Sequence, residues 1–341
     1  MSTVCSTRPR APGVGRNPKA RYAADVAEFE LIESIRARCT QTRDDVVLGI
    51  GDDAALLAVP AGTLLAVSTD TLVAGVHFMQ DAAARDIGWK SLAVNLSDLA
   101  AMGAEPAWAT LALTLPVADA RWVNAFAEGF AALAIQHRVA LVGGDTTQGP
   151  LSITVTVHGL LPERFALTRS GARAGDGVYV TGTLGDAAAG LRQMQSQPPG
   201  DSRLLERLQR PTPRVAQGLL LRGRATACID ISDGLAADLD HVCAASSVSA
   251  EIDADALPAS PALLAACAAG TRRAFQLAGG DDYELCFTAS DAGSGDLLDA
   301  LARSGCAATR IGRIGTGGGV RLRDAAGNPV SLPRRGWEHF A

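Results

Sequence analysis

The sequence predicts a mixed α/β (α+β) protein of two domains, each a mixed sheet with helices packed on it. Three observations carry this reading. The chain is 341 residues long, more than one hydrophobic core usually organises. Short apolar, β-branched runs alternate with segments whose apolar residues recur at helical spacing. A third feature, an apolar strand that ends in aspartate, recurs in both halves.

The elements follow in order. "EFELIESIRARC" has helical periodicity, so folding is expected to begin near Phe29. "VVLGIG" (46–51) and "LLAVST" (64–69) read as strands, each running into Asp. Residues 84–104 read as a helix closed by Gly103, and 106–116 as a strand. Residues 119–138 are a second amphipathic helix, and "VALVGG" and "SITVTVHGLL" are further strands. This half therefore predicts four to five strands in one sheet. The polar, Gly-rich stretch 162–176 is a break. The second half opens with the strand "GVYVTG" and the helix "LGDAAAGLRQM". A loop at 195–201, a helix at 202–209, a new helix start at "RPTPRV" and the strand "ATACIDIS" come next. "DGLAADLDHVCAAS" reads as a helix with Asp233 at its N-terminus, and "FQLAGGDDYELCFTAS" as strand, turn and strand. "TRIGRIG" and "GVRLRD" close the fold as short strands. The expected division is a disordered tail over 1–27, an N-terminal sheet domain over 28–160 and a C-terminal α/β domain over 165–341.

Composition removes several classes of function. The chain is 48% hydrophobic and 20% charged, as soluble globular proteins are. A net charge of −5 argues against a nucleic-acid or membrane-surface binder. No apolar run approaches the length of a membrane span. Residues 1–24 are basic but lack the apolar segment of a secretory signal. Seven cysteines, an odd number without any C-x-x-C pair, fit buried thiols in a reduced cytoplasmic protein.

The chemistry lies in the acids. "GIGDDAALL" (49–57), "VSTDTLV" (67–73), "LVGGDTT" (141–147), "ACIDISDG" (227–234) and "AGGDDYELCF" (278–287) each end an apolar run in carboxylate. One Asp after a strand is usually a turn former or helix cap. Repetition changes the argument. If these acids converge, each pair about 4 Å apart repels by roughly 4 kcal/mol at an effective dielectric near 20. Almost no Lys or Arg flanks them, so divalent cations are the natural counter-charge. All-oxygen ligands select Mg²⁺ or Ca²⁺, and Mg²⁺ is commonly shared with a nucleotide phosphate. Asp98, with Asn95 one turn before it, places an acid inside an otherwise apolar helix.

Other phosphate motifs fail. "DIGWKS" has Lys90 and Ser91, but Trp89 stands where a Walker loop needs Gly. Protein-kinase signatures, H-E-x-x-H and G-x-S-x-G are absent. "GTGGGV" (315–320) lacks a strand–helix setting. "LGDAAAGL" fits either a phosphate cradle or an ordinary helix start.

The assembled strings "GIGDDAALL", "STDTLVAGVHF", "KSLAVNLSDLAAMGAEPAW", "LVGGDTTQGPLSITVTVHG", "LTRSGARAGDGVYVTGTLGDAAAGL", "RPTPRV", "IDISDGLAADL" and "GGDDYELCF" resemble the thiamine-monophosphate kinase family. That family belongs to the aminoimidazole-ribonucleotide-synthetase-like superfamily. The resemblance runs from about residue 28 to the end. It implies a two-domain subunit of that type, dimerising through its N-terminal strands, with the active site between domains. It implies ATP-dependent conversion of thiamine monophosphate to thiamine diphosphate with several Mg²⁺ ions. The matched metal positions are Asp53, Ser68, Thr69, Asp70, Asp98, Asp145, Asp230 and Asp233. The matched nucleotide contacts are Gly144, Asp145, Arg169 and Ser232, and the matched substrate contacts are His77, Asp281 and Trp337. Of these, Asp70, Asp145, Asp233 and Arg169 are expected to act in catalysis. Related chains often carry Glu at the position of Asp281, one methylene longer. Trp337, in "RRGWEHF", offers an aromatic face to the thiazolium cation.

With no conspicuous His or Cys nucleophile beside the acids, direct in-line phosphoryl transfer is expected. The competing readings are a selenophosphate or ribonucleotide synthetase of the same superfamily, a non-catalytic Mg–nucleotide-binding module, and a two-metal phosphohydrolase. Cys5 and Cys39 lack the Gly-rich setting a selenophosphate synthase requires.

Overall fold

The computed structural model describes residues 28–39, 41–196, 200–331 and 336–338; the expected tail over 1–27 lies outside them. The first half runs α1 (Glu28–Cys39), β1 (Val46–Leu48), β2 (Leu56–Leu57), β3 (Thr63–Val73), α2 (Ala84–Ala101), β4 (Glu105–Leu115), α3 (Ala120–His137), β5 (Ala140–Gln148) and β6 (Ser152–Pro162). Four of these strands form one sheet in the order β3-β6-β4-β5, while β1 and β2 pair separately. The β4–β5 pair is parallel and the other two pairs are antiparallel, so the sheet is mixed.

Period-two alternation sets the two faces of this sheet. Ile153, Val155 and Val157 of β6 are buried beneath the helices. The opposite face carries Val67, 56% exposed, and two cross-strand hydroxyl pairs, Thr69–Thr156 at 2.9 Å and Thr71–Thr154 at 2.8 Å. Helices α2 and α3 pack at main-chain distance. A Cβ at Gly88 would collide with the Phe126 carbonyl, and one at Gly129 with the Arg85 carbonyl.

The second half runs β7 (Gly177–Thr181), α4 (Asp186–Met194), α5 (Ser202–Gln209), α6 (Val215–Leu221), β8 (Ala227–Asp230), α7 (Leu235–Ser246), β9 (Ser249–Asp253), α8 (Pro261–Ala266), α9 (Ala269–Ala278), β10 (Leu285–Ala289), α10 (Ser294–Arg303), β11 (Ala308–Gly315) and β12 (Gly319–Arg323). Six strands form the sheet β12-β9-β11-β7-β10-β8. Only β12–β9 is parallel. Strands β7, β8 and β10 are buried on both faces. Tyr179, Cys228, Leu285 and Phe287 join the core around α2 and α3, whereas Val178, Val180, Ile229 and Cys286 join the core around α7. One continuous apolar core therefore reaches from the first sheet to the second.

Two readings of the sequence need correction. "FQLAGG" closes helix α9 rather than forming a strand, because the strand begins only at Leu285. Asp233 precedes α7 instead of belonging to it, and Gly234 is the N-cap residue with no side-chain cap. The "LGDAAAGL" helix start is also accounted for. The Gly185 amide donates to the buried Asp282 carboxylate at 2.8 Å, so a protein carboxyl takes the place a phosphate would need.

Glu284, wholly buried, ties this half together. It accepts from Arg207 at 2.8 Å, from both Arg214 nitrogens at 2.5 and 2.6 Å, and from the Thr181 hydroxyl at 2.7 Å. Removing one partner of a buried ion pair strands the other charges. Glu284→Ala is expected to destabilise the fold by about 3–5 kcal/mol, read from urea unfolding. A loss near zero would show that the two guanidinium groups find solvent instead.

Candidate active site

The candidate site is built on helix α2. The helix is buried on nearly every side, and its polar residues reach in two directions. Towards the first sheet, Asp98 accepts from the Ser68 hydroxyl at 2.5 Å, and the Asn95 side chain accepts the Asp70 amide at 3.0 Å. Towards the second sheet, the Ser97 hydroxyl donates to Asp230 at 2.7 Å. Ser68 and Asp70 meet the helix because residues two apart on β3 share a face. Thr69 lies between them and points the other way, where its hydroxyl bonds Thr156. The Thr69 hydroxyl thus stands on the opposite face of β3 from the Ser68 and Asp70 side chains.

Four carboxyl groups feel one another across this helix. Burial pushes Asp70 up, and the Asp98 and Asp233 charges add to it. Asp98 is raised by burial, against the pull of the Ser68 hydroxyl, Arg169 and Asp70. Asp230 is raised by burial first, then by Asp98, Asp238 and Asp70. The side-chain hydrogen bond between Asp70 and Asp98 raises the first carboxyl and lowers the second. Asp230 stands at the end of β8, and Asp233 sits in the turn that follows.

Asp238, on the first turn of α7, is a member the sequence reading missed. One oxygen accepts the amides of Ser232, Asp233 and Gly234, each at 3.1 Å. Burial and the Asp233 charge push its carboxyl up to about 7, and the three amides hold it down. The signal was available: an acid five residues after Asp233, on the buried face of a helix. Ser97 was missed for a different reason. A serine inside an apolar helix reads as filler until β8 is placed against it.

The remaining expected residues are less tightly joined. Asp53 and Asp145 are exposed, and no hydrogen bond or ion pair links them to the acids among the described residues. Gly144, on β5 beside Asp145, presses on the Leu111 carbonyl where a Cβ could not fit. Arg169 is exposed, and its charge reaches Asp98. The carbonyl of Ser232 accepts the Asp281 amide at 2.8 Å. Trp337 is 48% exposed, and its amide donates to the Asp233 carbonyl at 3.0 Å, which brings the C-terminal aromatic beside the acid turn.

Next to the acids lies a cavity of about 100 Å³, lined by His77, Lys90 and Asp281. Phe78 and Met79 wall it from the first half, and Leu191, Met194 and Leu208 from the second. His77 accepts the Val73 amide on Nδ1 at 3.0 Å, which leaves its proton on Nε2. An apolar pocket with a few converging polar groups, beside a cluster of raised carboxyls, is the arrangement of a small-molecule site.

The donor set suits a hard cation. It is all oxygen, and the acids repel one another. Among the described residues, no group of three or more His, Cys, Asp or Glu is close enough to cage an ion unaided. Mg²⁺ takes one or two carboxylates and completes its shell with water and phosphate oxygens.

Comparison with known proteins places these features in context. Residues 51–161 match the AIR synthase related protein, N-terminal domain, and residues 173–325 match the corresponding C-terminal domain. A thiamine-monophosphate kinase of Salmonella typhimurium is 48% identical over 92% of this chain and 98% of its own length. The crystal structure of a thiamine-monophosphate kinase from Stenotrophomonas maltophilia superposes with a TM-score of 0.81 at 53% identity, covering 87% of this chain and 96% of that one. The structure of AaThiL complexed with AMPPCP and TMP superposes with a TM-score of 0.72 at 33% identity, covering 92% and 97%.

Asp238→Ala removes the shared acceptor of three amides, a charged hydrogen-bond set that contributes about 1.5–3 kcal/mol. Hydrogen exchange at Ser232, Asp233 and Gly234 is expected to speed up by roughly tenfold or more, with little change elsewhere. Unchanged protection at those three amides would mean that the turn holds itself.

Proposed function

The chain belongs to the thiamine-monophosphate kinases of the AIR synthase related family, and from that premise we propose how its residues share the work. It is an enzyme that transfers the terminal phosphoryl group of ATP to thiamine monophosphate, giving ADP and thiamine diphosphate. The observation that carries the proposal is the meeting of Asp70, Asp98, Asp230 and Asp233, from both halves of the chain, around helix α2.

In this reading Asp70, Asp98, Asp230 and Asp233 would hold Mg²⁺ ions, with Ser68 orienting Asp98. Asp53 and Asp145, both solvent-facing, would complete the set. Bound Mg²⁺ would neutralise phosphate charge and offset the carboxylate repulsion. The raised carboxyls support this division, since crowded buried carboxylates are stabilised by a nearby cation. Arg169 supplies a planar fork for phosphate oxygens, and Gly144 and Ser232 offer main chain to the nucleotide. His77 and Asp281 face the acceptor in the cavity, and Trp337 lies against its thiazolium ring.

Transfer is direct and in-line. Cys228 and Cys286, the thiols nearest in sequence to Asp230 and Asp282, are held in the protonated form by burial, and this supports the absence of a thiolate intermediate. The exposed Val67–Thr69–Thr71 face of the first sheet supports a homodimer formed through β3 and β6. No helix among the described residues is long and apolar enough to cross a membrane. The six described cysteines are all free and buried, which supports a reducing, cytoplasmic location.

Incubation with ATP and Mg²⁺, with and without thiamine monophosphate, tests the reading. Thiamine diphosphate and ADP are expected only when the acceptor is present. Phosphate release without acceptor would instead favour a hydrolase, and a labelled phosphoenzyme trapped by acid quench would exclude direct transfer. EDTA is expected to abolish turnover and excess Mg²⁺ to restore it. Asp70→Asn is expected to lower kcat by about a hundredfold or more and to raise the Mg²⁺ concentration at half-maximal activity. A Val67→Asp, Thr156→Arg double variant is expected to sediment as a monomer if β3 and β6 form the dimer contact.

A further inference from the structure

Lys90 is one of two lysines in the chain and is the only cation lining the acceptor cavity among the described residues. It lies on α2, the helix that carries Asn95, Ser97 and Asp98, and is 3% exposed. Its ammonium donates to Asp281 Oδ2 at 3.1 Å and to the His77 carbonyl at 3.2 Å. Those partners come from different halves of the chain. His77 belongs to the turn after β3, and Asp281 to the segment between α9 and β10.

Asp281 needs such a partner. Its φ of 68° lies in the left-handed region, uncommon for a non-glycine residue although Asp adopts it more readily than most. The main chain enforces part of it, through the amide bond to the Ser232 carbonyl. The side chain is fixed at both oxygens, Oδ1 by the Tyr283 hydroxyl at 3.1 Å and Oδ2 by Lys90. Tyr283 is itself at a φ of 49°. Trp89, which excludes a phosphate loop around Lys90, anchors this part of α2 by donating its indole N–H to the Pro211 carbonyl at 2.9 Å. Lys90 therefore projects from a fixed helix into the junction of the two cavity walls.

We propose that Lys90 is a positioning residue for the acceptor substrate: its ammonium holds the Asp281 carboxylate and the His77 turn in register across the cavity. This rests on the kinase reading above. Lys90 acts through Asp281 and His77 rather than on the transferred phosphoryl group. Losing the ammonium releases Asp281 Oδ2, leaving that carboxylate held only through Oδ1 by Tyr283 among the hydrogen bonds above, and removes the Lys90 bond to the His77 carbonyl. The acceptor's binding wall then loosens while the nucleotide residues Gly144, Arg169 and Ser232 stay in place.

The test uses the full-length chain with Mg²⁺ and saturation curves for both substrates. Lys90→Met keeps an unbranched side chain one atom shorter and removes its charge and donors. It is expected to raise the KM for thiamine monophosphate by about tenfold or more while the KM for ATP stays within about twofold. Because Lys90 works through Asp281, the Lys90→Met, Asp281→Asn double variant should be no worse than the poorer single variant. Should Lys90→Met not fold, Lys90→Gln, which retains a donor, is read in the same way. Equal rises in both KM values, a fall in kcat alone, or additive losses in the double variant would overturn the proposal. A wild-type chain that makes no thiamine diphosphate overturns the kinase reading and this inference with it. An active wild type whose variant keeps its acceptor KM overturns the inference alone.

Discussion

The buried polar groups on helix α2 have to be satisfied inside protein, and that requirement organises the molecule. The helix lies between two sheets with almost no surface left to solvent. A buried polar atom without a partner costs about 1–3 kcal/mol, so Lys90, Asn95, Ser97 and Asp98 constrain whatever packs against them. Their partners are Asp281, the Asp70 main chain, Asp230 and Ser68, all of which the kinase reading uses. The packing of the two halves and the assembly of the site are consequently one event. Glycines at the α2–α3 contact let the helices approach closely enough to close that core.

The same burial makes the pocket electrostatically incomplete. Asp70, Asp98, Asp230 and Asp238 all have their carboxyls raised, in each case by burial first and by neighbouring acids in most. A protein that only needed stability would have paired them. Elsewhere this chain does so: Glu284 has two arginines and Asp86 has Arg210. The contrast separates acids neutralised by arginine within the fold from acids whose carboxyls burial leaves raised. It also explains why "GGDDYELCF" holds three acids with three fates. Asp281 faces the cavity, Asp282 caps the start of α4, and Glu284 neutralises buried guanidinium.

Much of this was legible in the chain. Helical periodicity located α2 and α3 within a few residues, and β-branched runs located β3, β4, β6, β7 and β8. The acids at strand ends were visible as a repeated pattern, and their number argued for metal before any fold was known. Less legible were the short or weakly patterned elements. β2 has two residues, and α9 ends in a Gly-Gly that imitates a turn between strands. Thr69 shows a further limit, since a run of matched positions on a strand does not say which side chains share a face.

The sequence by itself determined the elements, the excess of unpaired carboxylate and the family, because these follow from local periodicity, composition and motif spacing. Tertiary structure alone decided which acids interact, that Ser97 and Asp238 support them, and that Lys90 spans the cavity from α2 to Asp281. Those are contacts between residues more than a hundred positions apart in several cases, and Asp238 depends on how a turn folds back over its own helix. Local pattern carries no information about such meetings. They are set by how two sheets close over one buried helix.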